Sequence, residues 1–323
     1  MQLSVIIPVR DDARISRCVA SVCAAAANLD KGKTQVIVVN NGSGPELAPV
    51  LAGLPPSVEV LTEPIIGPFA ARNRGLERAT GAIVLFTDAA CIVAPDWLTQ
   101  AINGFAANDA TDILQGYSGS MGRSSLDRFI QSRYDSRFRG QAPGMPVECD
   151  TRNLAVRRSV FDRMRFNDRW RRVGDTEFGL VAEQMGHRVA FWPALRVVRE
   201  HDAGLCLFLA KQVSHGWGAQ RLVRQMPDLR WHSGHPREIA GLASTLAKAP
   251  GSRLALSGGL SLILTAGGLL AGRLRASPNR LDLASATLLD KLAVLLGHFL
   301  YEAGADEPWP ADILAQRLHW SRG

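Results

Sequence analysis

The sequence predicts an α/β fold with a Rossmann-like, mostly parallel sheet flanked by helices, followed by a C-terminal helical extension. Short continuous apolar runs that end at polar residues are typical of strands buried on both faces of a parallel sheet. These runs alternate with helical stretches, which is the pattern of β-α-β units with right-handed crossovers. From about residue 204 onwards only helical patterns follow.

The individual elements follow from apolar runs for the strands and from amphipathic or Ala-rich stretches for the helices. In chain order we expect a strand at Leu3–Val9, a helix from Asp11 to about Leu29, strands at Gln35–Val39 and Val58–Leu61, a helix at Pro68–Ala79, a strand at Gly81–Phe86, a helix opened by Asp96, a helix and loop within Arg123–Arg139, a strand at Thr151–Val156, a helix at Asp175–Met185 ended by Gly186, and a closing strand at Val189–Trp192 before Pro193.

Charge and cysteine usage narrow the classes of partner. The chain has 323 residues, a formal net charge of +7 and a pI near 9.5, which favour anionic partners such as a nucleotide or a phospholipid surface. It shows neither an RNA-binding signature nor zinc-finger spacing, so nucleic acid is not an expected partner. Its five scattered cysteines contain no CxxC pair and predict reduced thiols. The N-terminus does not resemble a secretory signal peptide.

The C-terminal region contains an uncharged segment, Leu254–Gly272, bracketed by Arg253 and Arg273. As a helix it would span about 28 Å, which is just enough for a bilayer core. Three interpretations stay open: a transmembrane helix, a helix lying in the membrane interface, and buried helices of a globular subdomain. A second apolar segment, Leu281–Tyr301, carries several charged side chains.

Asp88 is the polar residue with the most informative position. It directly follows the apolar run Ala82–Phe86 and Thr87. In open α/β folds the ligand lies at the carboxyl ends of such strands, so Asp88 is placed where a ligand or a metal ion would bind. A second carboxylate two residues later would complete a clamp for a metal and a diphosphate, but Ala90 occupies that position.

Six motifs occur in one order along the chain. They are SVIIPVRDD at 4–12, VVNNGS at 38–43, ARNRGLERATG at 71–81, FTDAAC at 86–91 with PDWL at 95–98, NLAVRRSVF at 153–161, and GDTEFGLVAEQMGHRVAFWP at 174–193. Their order and spacing resemble the family 2 glycosyltransferases, inverting enzymes of the GT-A fold. The resemblance covers about residues 1–202.

The resemblance implies a division of the chain and a set of partners. It implies a GT-A domain at 1–203, with a nucleotide-sugar half at about 1–100 and an acceptor half at 101–203. The helical region at 204–323 follows this domain, and membrane association of that region is one of the interpretations left open above. A sugar would pass from a nucleotide-sugar donor to a hydroxyl of a lipid-linked or glycan acceptor in cell-envelope or exopolysaccharide synthesis. Together with the positive charge and Leu254–Gly272, it predicts a location in the cytoplasm or at the cytoplasmic face of the cell membrane.

The donor site implied by the resemblance lies at the carboxyl ends of the first four strands. The expected donor-binding residues are Pro8, Val9, Asp11, Asn40, Asn41, Arg72, Asp88 and Ala89. Asn40 and Asn41 occupy the place of a family carboxylate, and an amide can still hydrogen-bond a base or ribose. The alternative for this pair is a turn without any contact to a ligand. The planar fork of a guanidinium suits Arg72 to a diphosphate.

A divalent metal, Mg²⁺ or Mn²⁺, is implied by the match of Asp88 to the first aspartate of the family's DxD motif. Because Ala90 replaces the second aspartate, His201 could supply part of the coordination, and Arg199 could also reach the diphosphate. Three explanations stay open: a metal held by Asp88 and other groups, a metal-free site that relies on basic residues, or a lost activity.

Asp175 matches the family's general base, which takes the proton of the acceptor hydroxyl. Glu177 is the alternative base, and a structural role for Asp175 at a helix start is also open. Asn153, Gly174 and Glu177 are expected to bind the acceptor. The alternative function is a catalytically impaired GT-A module that binds a nucleotide sugar or a partner without transfer, because Asn40, Asn41 and Ala90 replace acids.

Overall fold

The computed structural model describes residues 2–29, 33–201, 204–228, 232, 283–302 and 304–306. The chain divides into two compact units, one formed by residues 1–121 with 138–200, and the other by residues 122–137 with 201–323. The predicted division at residue 203 stays a prediction.

The first unit is built on one mixed sheet of eight strands, ordered β3-β2-β1-β4-β7-β6-β8-β5. The strands are β1 (Leu3–Val9), β2 (Thr34–Asn40), β3 (Val58–Thr62), β4 (Ile83–Thr87), β5 (Cys91–Val93), β6 (Ile113–Ser120), β7 (Asn153–Arg157) and β8 (Val189–Arg199). Four of the seven neighbouring pairs are parallel, so the predicted α/β class with a mostly parallel sheet is confirmed.

Helices lie on both faces of this sheet. They are α1 (Ile15–Ala27), α2 (Ala48–Ala52), α3 (Pro68–Arg78), α4 (Trp97–Ala107) and α6 (Gly174–Gln184), while α5 (Ser125–Ser136) belongs to the second unit. Alternate residues of β1 serve the two faces: Val5 joins the core with Val19 of α1, while Ile6 lies against Gly75 of α3. A Cβ at Gly75 would lie 2.5 Å from the Ile6 side chain, so glycine permits this close packing.

The closing strand is longer than the sequence predicts. We expected it to end at Trp192 because Pro193 follows, but β8 continues to Arg199. The pairing with β6 shifts register at this point, since Gly116 pairs with Trp192 and the next residue, Tyr117, pairs with Arg196. A proline is tolerated at such an irregularity because its missing N–H is not needed there.

The first helix starts later than predicted, at Ile15 rather than Asp11. Asp11 has a positive φ of 51°, a left-handed conformation that aspartate tolerates better than most residues. The Asp12 carboxylate accepts a hydrogen bond from the backbone N–H of Arg14. Residues 10–14 therefore form a turn at the carboxyl end of β1.

The described part of the second unit contains α5, α7 (Leu205–Gln225) and α8 (Leu283–Glu302). The predicted C-terminal helical extension is thus present, and α8 accounts for most of the second apolar segment. Leu289 and Leu296 of α8 pack into one apolar cluster with Leu209 of α7. Among the described helices none is long and apolar enough to cross a membrane. The segment 254–272 lies outside the described residues.

Candidate donor-diphosphate and base site

The candidate site lies at the carboxyl end of β4. Thr87, the last residue of β4, pairs with Asn153, the first residue of the antiparallel strand β7. Asp88 therefore follows β4 at the same edge of the sheet at which residues 150–152 precede β7. Burial has the largest effect on the pKa of Asp88, the charges of Arg72 and Arg199 follow, and the charge of Asp150 is a smaller influence, which agrees with a position of Asp150 near Asp88.

Asp88 lies between two guanidinium groups. Arg72 Nη2 donates to Asp88 Oδ1 at 2.7 Å, and Arg199 Nη1 donates to Asp88 Oδ2 at 2.7 Å. The Arg72 side chain is 3% exposed, whereas those of Arg199 and Asp88 are 19% and 26% exposed. Two positive charges thus face one negative charge, and the cluster carries a net charge of +1.

Arg72 comes from α3 and Arg199 from the end of β8. Arg72 Nη1 also donates to the carbonyl of Pro68, one turn earlier in α3, which fixes its side chain. Arg199 reaches the cluster because β8 pairs with β5, so that Arg199 lies opposite Cys91. The three-residue strand β5 was not predicted, and the predicted closing strand ended before Arg199.

The electrostatic state of Asp88 follows from this pairing. Burial alone would raise the pKa of Asp88, but Arg72 and Arg199 together outweigh burial and hold the pKa below its ordinary value of 3.8. Asp88 is therefore ionised at neutral pH, and its ion pairs stabilise the folded state at that pH.

The stability contributed by Asp88 should depend on pH. A carboxylate with a lowered pKa in the folded state stabilises the fold above its unfolded pKa, and this contribution is lost as the pH falls through the folded value. We expect Asp88→Asn to lower the free energy of unfolding at neutral pH. The gap, meaning the difference in free energy of unfolding between the variant and the unsubstituted protein, should narrow below about pH 4. Denaturant unfolding across this pH range measures the gap. Asp162→Asn, at an exposed position, is the control, and a gap at Asp88 that stays constant down to about pH 2 would contradict the prediction.

The residues present do not fit a divalent cation held by Asp88. Each oxygen of Asp88 already accepts a hydrogen bond from a guanidinium, and Ala90 offers no side-chain ligand. Within the described residues, no group of three or more His, Cys, Asp or Glu side chains is arranged to hold a metal ion. Two like unit charges about 4 Å apart repel by about 4 kcal/mol at an effective dielectric constant of about 20, and a divalent cation would double that repulsion.

Asp175 lies at the start of α6 and is oriented by two backbone groups. The N–H of Thr151 donates to Asp175 Oδ2 at 3.3 Å, and the N–H of Thr176 donates to Oδ1 at 3.0 Å. Thr151 belongs to the 150–152 segment beside Asp88, so this segment connects the two aspartates. Burial, followed by the charge of Asp175, raises the pKa of the Cys149 thiol well above its ordinary value, which keeps this neighbour a neutral thiol.

The residue before this helix has a strained backbone. Val173 has φ 61° and ψ 4°, a left-handed conformation that is rare for a β-branched side chain. Such a conformation costs about 1–3 kcal/mol and persists only where the surrounding structure imposes it. Strain of this kind is concentrated at functional sites, and here it lies two residues before Asp175.

Asp150 and Arg152 are site residues that the sequence analysis missed. Arg152 Nε donates to both oxygens of Asp150 at 2.9 Å, and the backbone N–H of Asp150 donates to Gln115 Oε1 at 2.6 Å. The antiparallel direction of β7 is the signal that could have found them. The residues that precede an antiparallel strand lie at the edge where β4 ends, which is the edge of Asp88.

The expected donor-binding residues outside this cluster lie at the ends of β1 and β2. Pro8 and Val9 are in β1, and the Asp11 Oδ1 accepts a hydrogen bond from Gly44 N at 2.7 Å. Asn40 Oδ1 accepts from Ser43 N at 3.1 Å. The Asp11–Gly44 contact joins the turns that follow β1 and β2, and the Asn40–Ser43 contact lies within the turn after β2.

Asn41 and Ala89 are placed differently, because both are buried. The amide nitrogen of Asn41 donates to the carbonyls of Glu63 and Ile65, and its oxygen accepts from the N–H of Gly67. These bonds hold the loop before α3 and occupy the Asn41 side chain. These bonds favour the structural alternative for Asn41 over a contact with the donor.

The three expected acceptor-binding residues are also buried. Asn153 is 0% exposed and bonds Trp97 Nε1 and the carbonyls of Tyr117 and Leu195, which argues against contact with an acceptor. A Cβ at Gly174 would lie 2.5 Å from the Phe69 ring, so glycine is needed there for packing. Glu177 Oε1 accepts from Asn167 Nδ2 at 3.3 Å. We assign these residues to the support of the site rather than to its surface.

His201 belongs to the second compact unit, and its part in metal binding stays a prediction. Asp88, Asp175 and Arg72 are predicted site residues that the first unit brings together at the end of β4, and Asp11 and Asn40 lie at the ends of the parallel strands β1 and β2 of the same sheet. Arg199, which the sequence predicts only as a further candidate for the diphosphate, contacts Asp88 because β8 continues beyond Trp192.

Comparison with known proteins agrees with this architecture. A family model described as glycosyl transferase family 2 matches residues 4–165, half of the chain. Glycosyltransferase AglE of Haloferax volcanii is 36% identical over 169 residues, which are 50% of this chain and 52% of AglE. The match therefore spans about half the length of this curated relative.

Two solved structures are similar in fold. Residues 1–349 of S. aureus TarS, in complex with UDP, superpose with a TM-score of 0.52 at 17% identity, covering 94% of this chain and 92% of that one. The mannosyltransferase PcManGT from Pyrobaculum calidifontis, in complex with GDP-Man and Mn²⁺, gives a TM-score of 0.58 at 18% identity, covering 93% and 86%. At these identities the likeness shows the fold, and both neighbours are GT-A glycosyltransferases.

Proposed function

The chain belongs to glycosyl transferase family 2, and from that premise we propose that it transfers a sugar from a nucleoside-diphosphate donor to an acceptor hydroxyl with inversion at the anomeric carbon. The observation that carries the proposal is the connection of Asp88 to Asp175. Residues 150–152 lie beside Asp88 at the end of β4, and Thr151 of the same segment bonds Asp175. The charged cluster around Asp88 and the Asp175 carboxylate thus lie at one edge of the sheet, which supports assigning the cluster to the diphosphate and Asp175 to the proton of the acceptor.

The proposed reaction is a single displacement. The acceptor oxygen attacks the anomeric carbon and forms the new glycosidic bond, while the bond from that carbon to the phosphate oxygen breaks. The electron pair of the broken bond leaves with the nucleoside diphosphate, and the Asp175 carboxylate takes the proton of the acceptor hydroxyl. The net positive charge around Asp88 stabilises the negative charge that develops on the leaving diphosphate.

Several finer points of the proposal rest on sequence features. UDP and GDP sugars are the first donors to test, because the similar structures were solved with UDP and with GDP-Man. We propose a lipid-linked or glycan acceptor, in cell-envelope or exopolysaccharide synthesis, at the cytoplasmic face of the membrane. This is supported by the net charge of +7 and by the uncharged segment 254–272.

A donor screen by thermal shift tests the proposal. A ligand present at about 100 times its Kd stabilises the folded state by about 2.7 kcal/mol, which raises Tm by several degrees for a chain of this size. We expect one class of nucleoside-diphosphate sugar to produce this shift, and the matching nucleoside monophosphate to produce a smaller one. The absence of a shift with every nucleotide sugar would refute the proposal. A shift without any transfer to glycan or lipid-linked acceptors would favour a binding module.

A further inference from the structure

The backbone around Arg199 is hydrogen-bonded to Ala90, the residue that stands where the DxD motif would have its second aspartate. Glu200 N donates to the carbonyl of Ala90 at 3.0 Å, and Met121 N donates to the carbonyl of Arg199 at 2.9 Å. Arg14 Nη1 adds a hydrogen bond to the carbonyl of Glu200 at 3.2 Å. These bonds fix the end of β8 against Ala90 and hold the start of the Arg199 side chain in place.

The two arginines of the cluster differ in what they can do. Arg72 is buried, and its two Nη atoms bond Asp88 and the Pro68 carbonyl, so it neutralises and orients Asp88. Arg199 is the more exposed of the two, and Asp88 holds one of its Nη atoms. Arg72 and Arg199 share the single negative charge of Asp88, so these three side chains together carry one more positive charge than negative charge.

We propose that Arg199 supplies the positive charge that a divalent cation would otherwise supply to the donor diphosphate, so that donor binding does not depend on a divalent metal. The proposal rests on the proposed function. It follows from the misfit of the cluster to a metal: Asp88 has both oxygens paired, Ala90 has no ligand atom, and the cluster is already positive. A guanidinium presents a planar set of donors that matches two oxygens of a diphosphate, and a fixed backbone pre-organises it.

Nucleotide titration of the full chain tests this inference. UDP and GDP are titrated by calorimetry in excess EDTA and again in excess Mn²⁺ or Mg²⁺, and we expect the Kd of the nucleotide that binds to agree within about twofold between the conditions. Arg199→Gln should weaken this binding by about tenfold or more, since a hydrogen bond to a charged group is lost. The Kd of Arg199→Lys should lie between those of the unsubstituted protein and Arg199→Gln, because lysine keeps the positive charge but lacks the planar guanidinium.

Arg196→Gln is the matched control. Arg196 is an exposed arginine of the same strand that contacts the Pro193 carbonyl, and its loss should leave the Kd unchanged. Binding that appears only with the metal, or an Arg199→Gln variant that is folded by its unfolding curve and binds like Arg196→Gln, would overturn the inference while the proposed function stands. If neither nucleotide binds under any condition, the proposed function fails and this inference fails with it.

Discussion

Replacement of Asp175 by asparagine is expected to lower the transfer rate by about 10²–10⁴-fold, which is the usual contribution of a positioned general base. Asparagine keeps the size of the side chain and one acceptor oxygen, so it can still accept from the N–H of Thr151 or of Thr176, and the start of α6 should stay folded. Because Asp175 is assigned to the acceptor proton, the Kd of the nucleotide should change by less than about twofold. Single-turnover transfer and nucleotide titration measure the two quantities separately.

Two further variants test whether Asp175, rather than another carboxylate, is the general base. Asp162→Asn removes an exposed carboxylate of the same unit and should leave the rate unchanged. Glu177→Gln removes the alternative base, which is buried and bonded to Asn167, and we expect a much smaller loss of rate. If Glu177→Gln abolishes transfer while Asp175→Asn retains it, Asp175 is not the base.

Replacement of Asn153 by alanine should cost about 3–5 kcal/mol in free energy of unfolding. The Asn153 side chain accepts from Trp97 Nε1 and donates to the Tyr117 and Leu195 carbonyls, with all three distances at 2.8 Å. It is fully buried, so its loss leaves one donor and two acceptors of α4, β6 and β8 without this partner and without water. Each buried polar group left unsatisfied costs about 1–3 kcal/mol.

Denaturant unfolding of matched variants checks this prediction. Asn103→Ala, at an exposed position of α4, should change the free energy of unfolding by less than about 0.5 kcal/mol. Asn153→Asp should be at least as damaging as the alanine variant, because a buried carboxylate cannot donate to the two carbonyls. Equal stability of Asn153→Ala and Asn103→Ala would show that the buried network contributes little.

The sequence predicts the first half of the fold well because its strands are continuous apolar runs. β1 has the predicted bounds, and β2, β3 and β4 differ from them by one or two residues. β1, β2 and β4 are buried at most positions, so their apolar composition distinguishes them from the helices between them, whereas β3 buries only Val58. The positions of Asp88 and Arg72 follow directly, since both residues lie next to elements with clear patterns.

The second half is less predictable because its contacts are set by tertiary pairing. β5 has three residues, and β8 passes a proline at an irregularity in its pairing with β6. Neither feature has a periodic signal, and Arg199 depends on both. Asn41 and Asn153 lie in motif positions that predict ligand contacts, but tertiary structure decides what their side chains contact, and here both side chains make buried hydrogen bonds.

The pairing of Arg199 with Asp88 also has a consequence for how the chain is made. The two residues are 111 positions apart, whereas Arg72 precedes Asp88 by only 16. At about 5–20 residues per second, a ribosome needs about 5–20 seconds to pass from Asp88 to Arg199. During that interval the nascent chain can form only the neutral pair of Asp88 with Arg72. The change from a neutral to a cationic cluster therefore belongs among the last folding events of this unit, when β8 is added to the sheet.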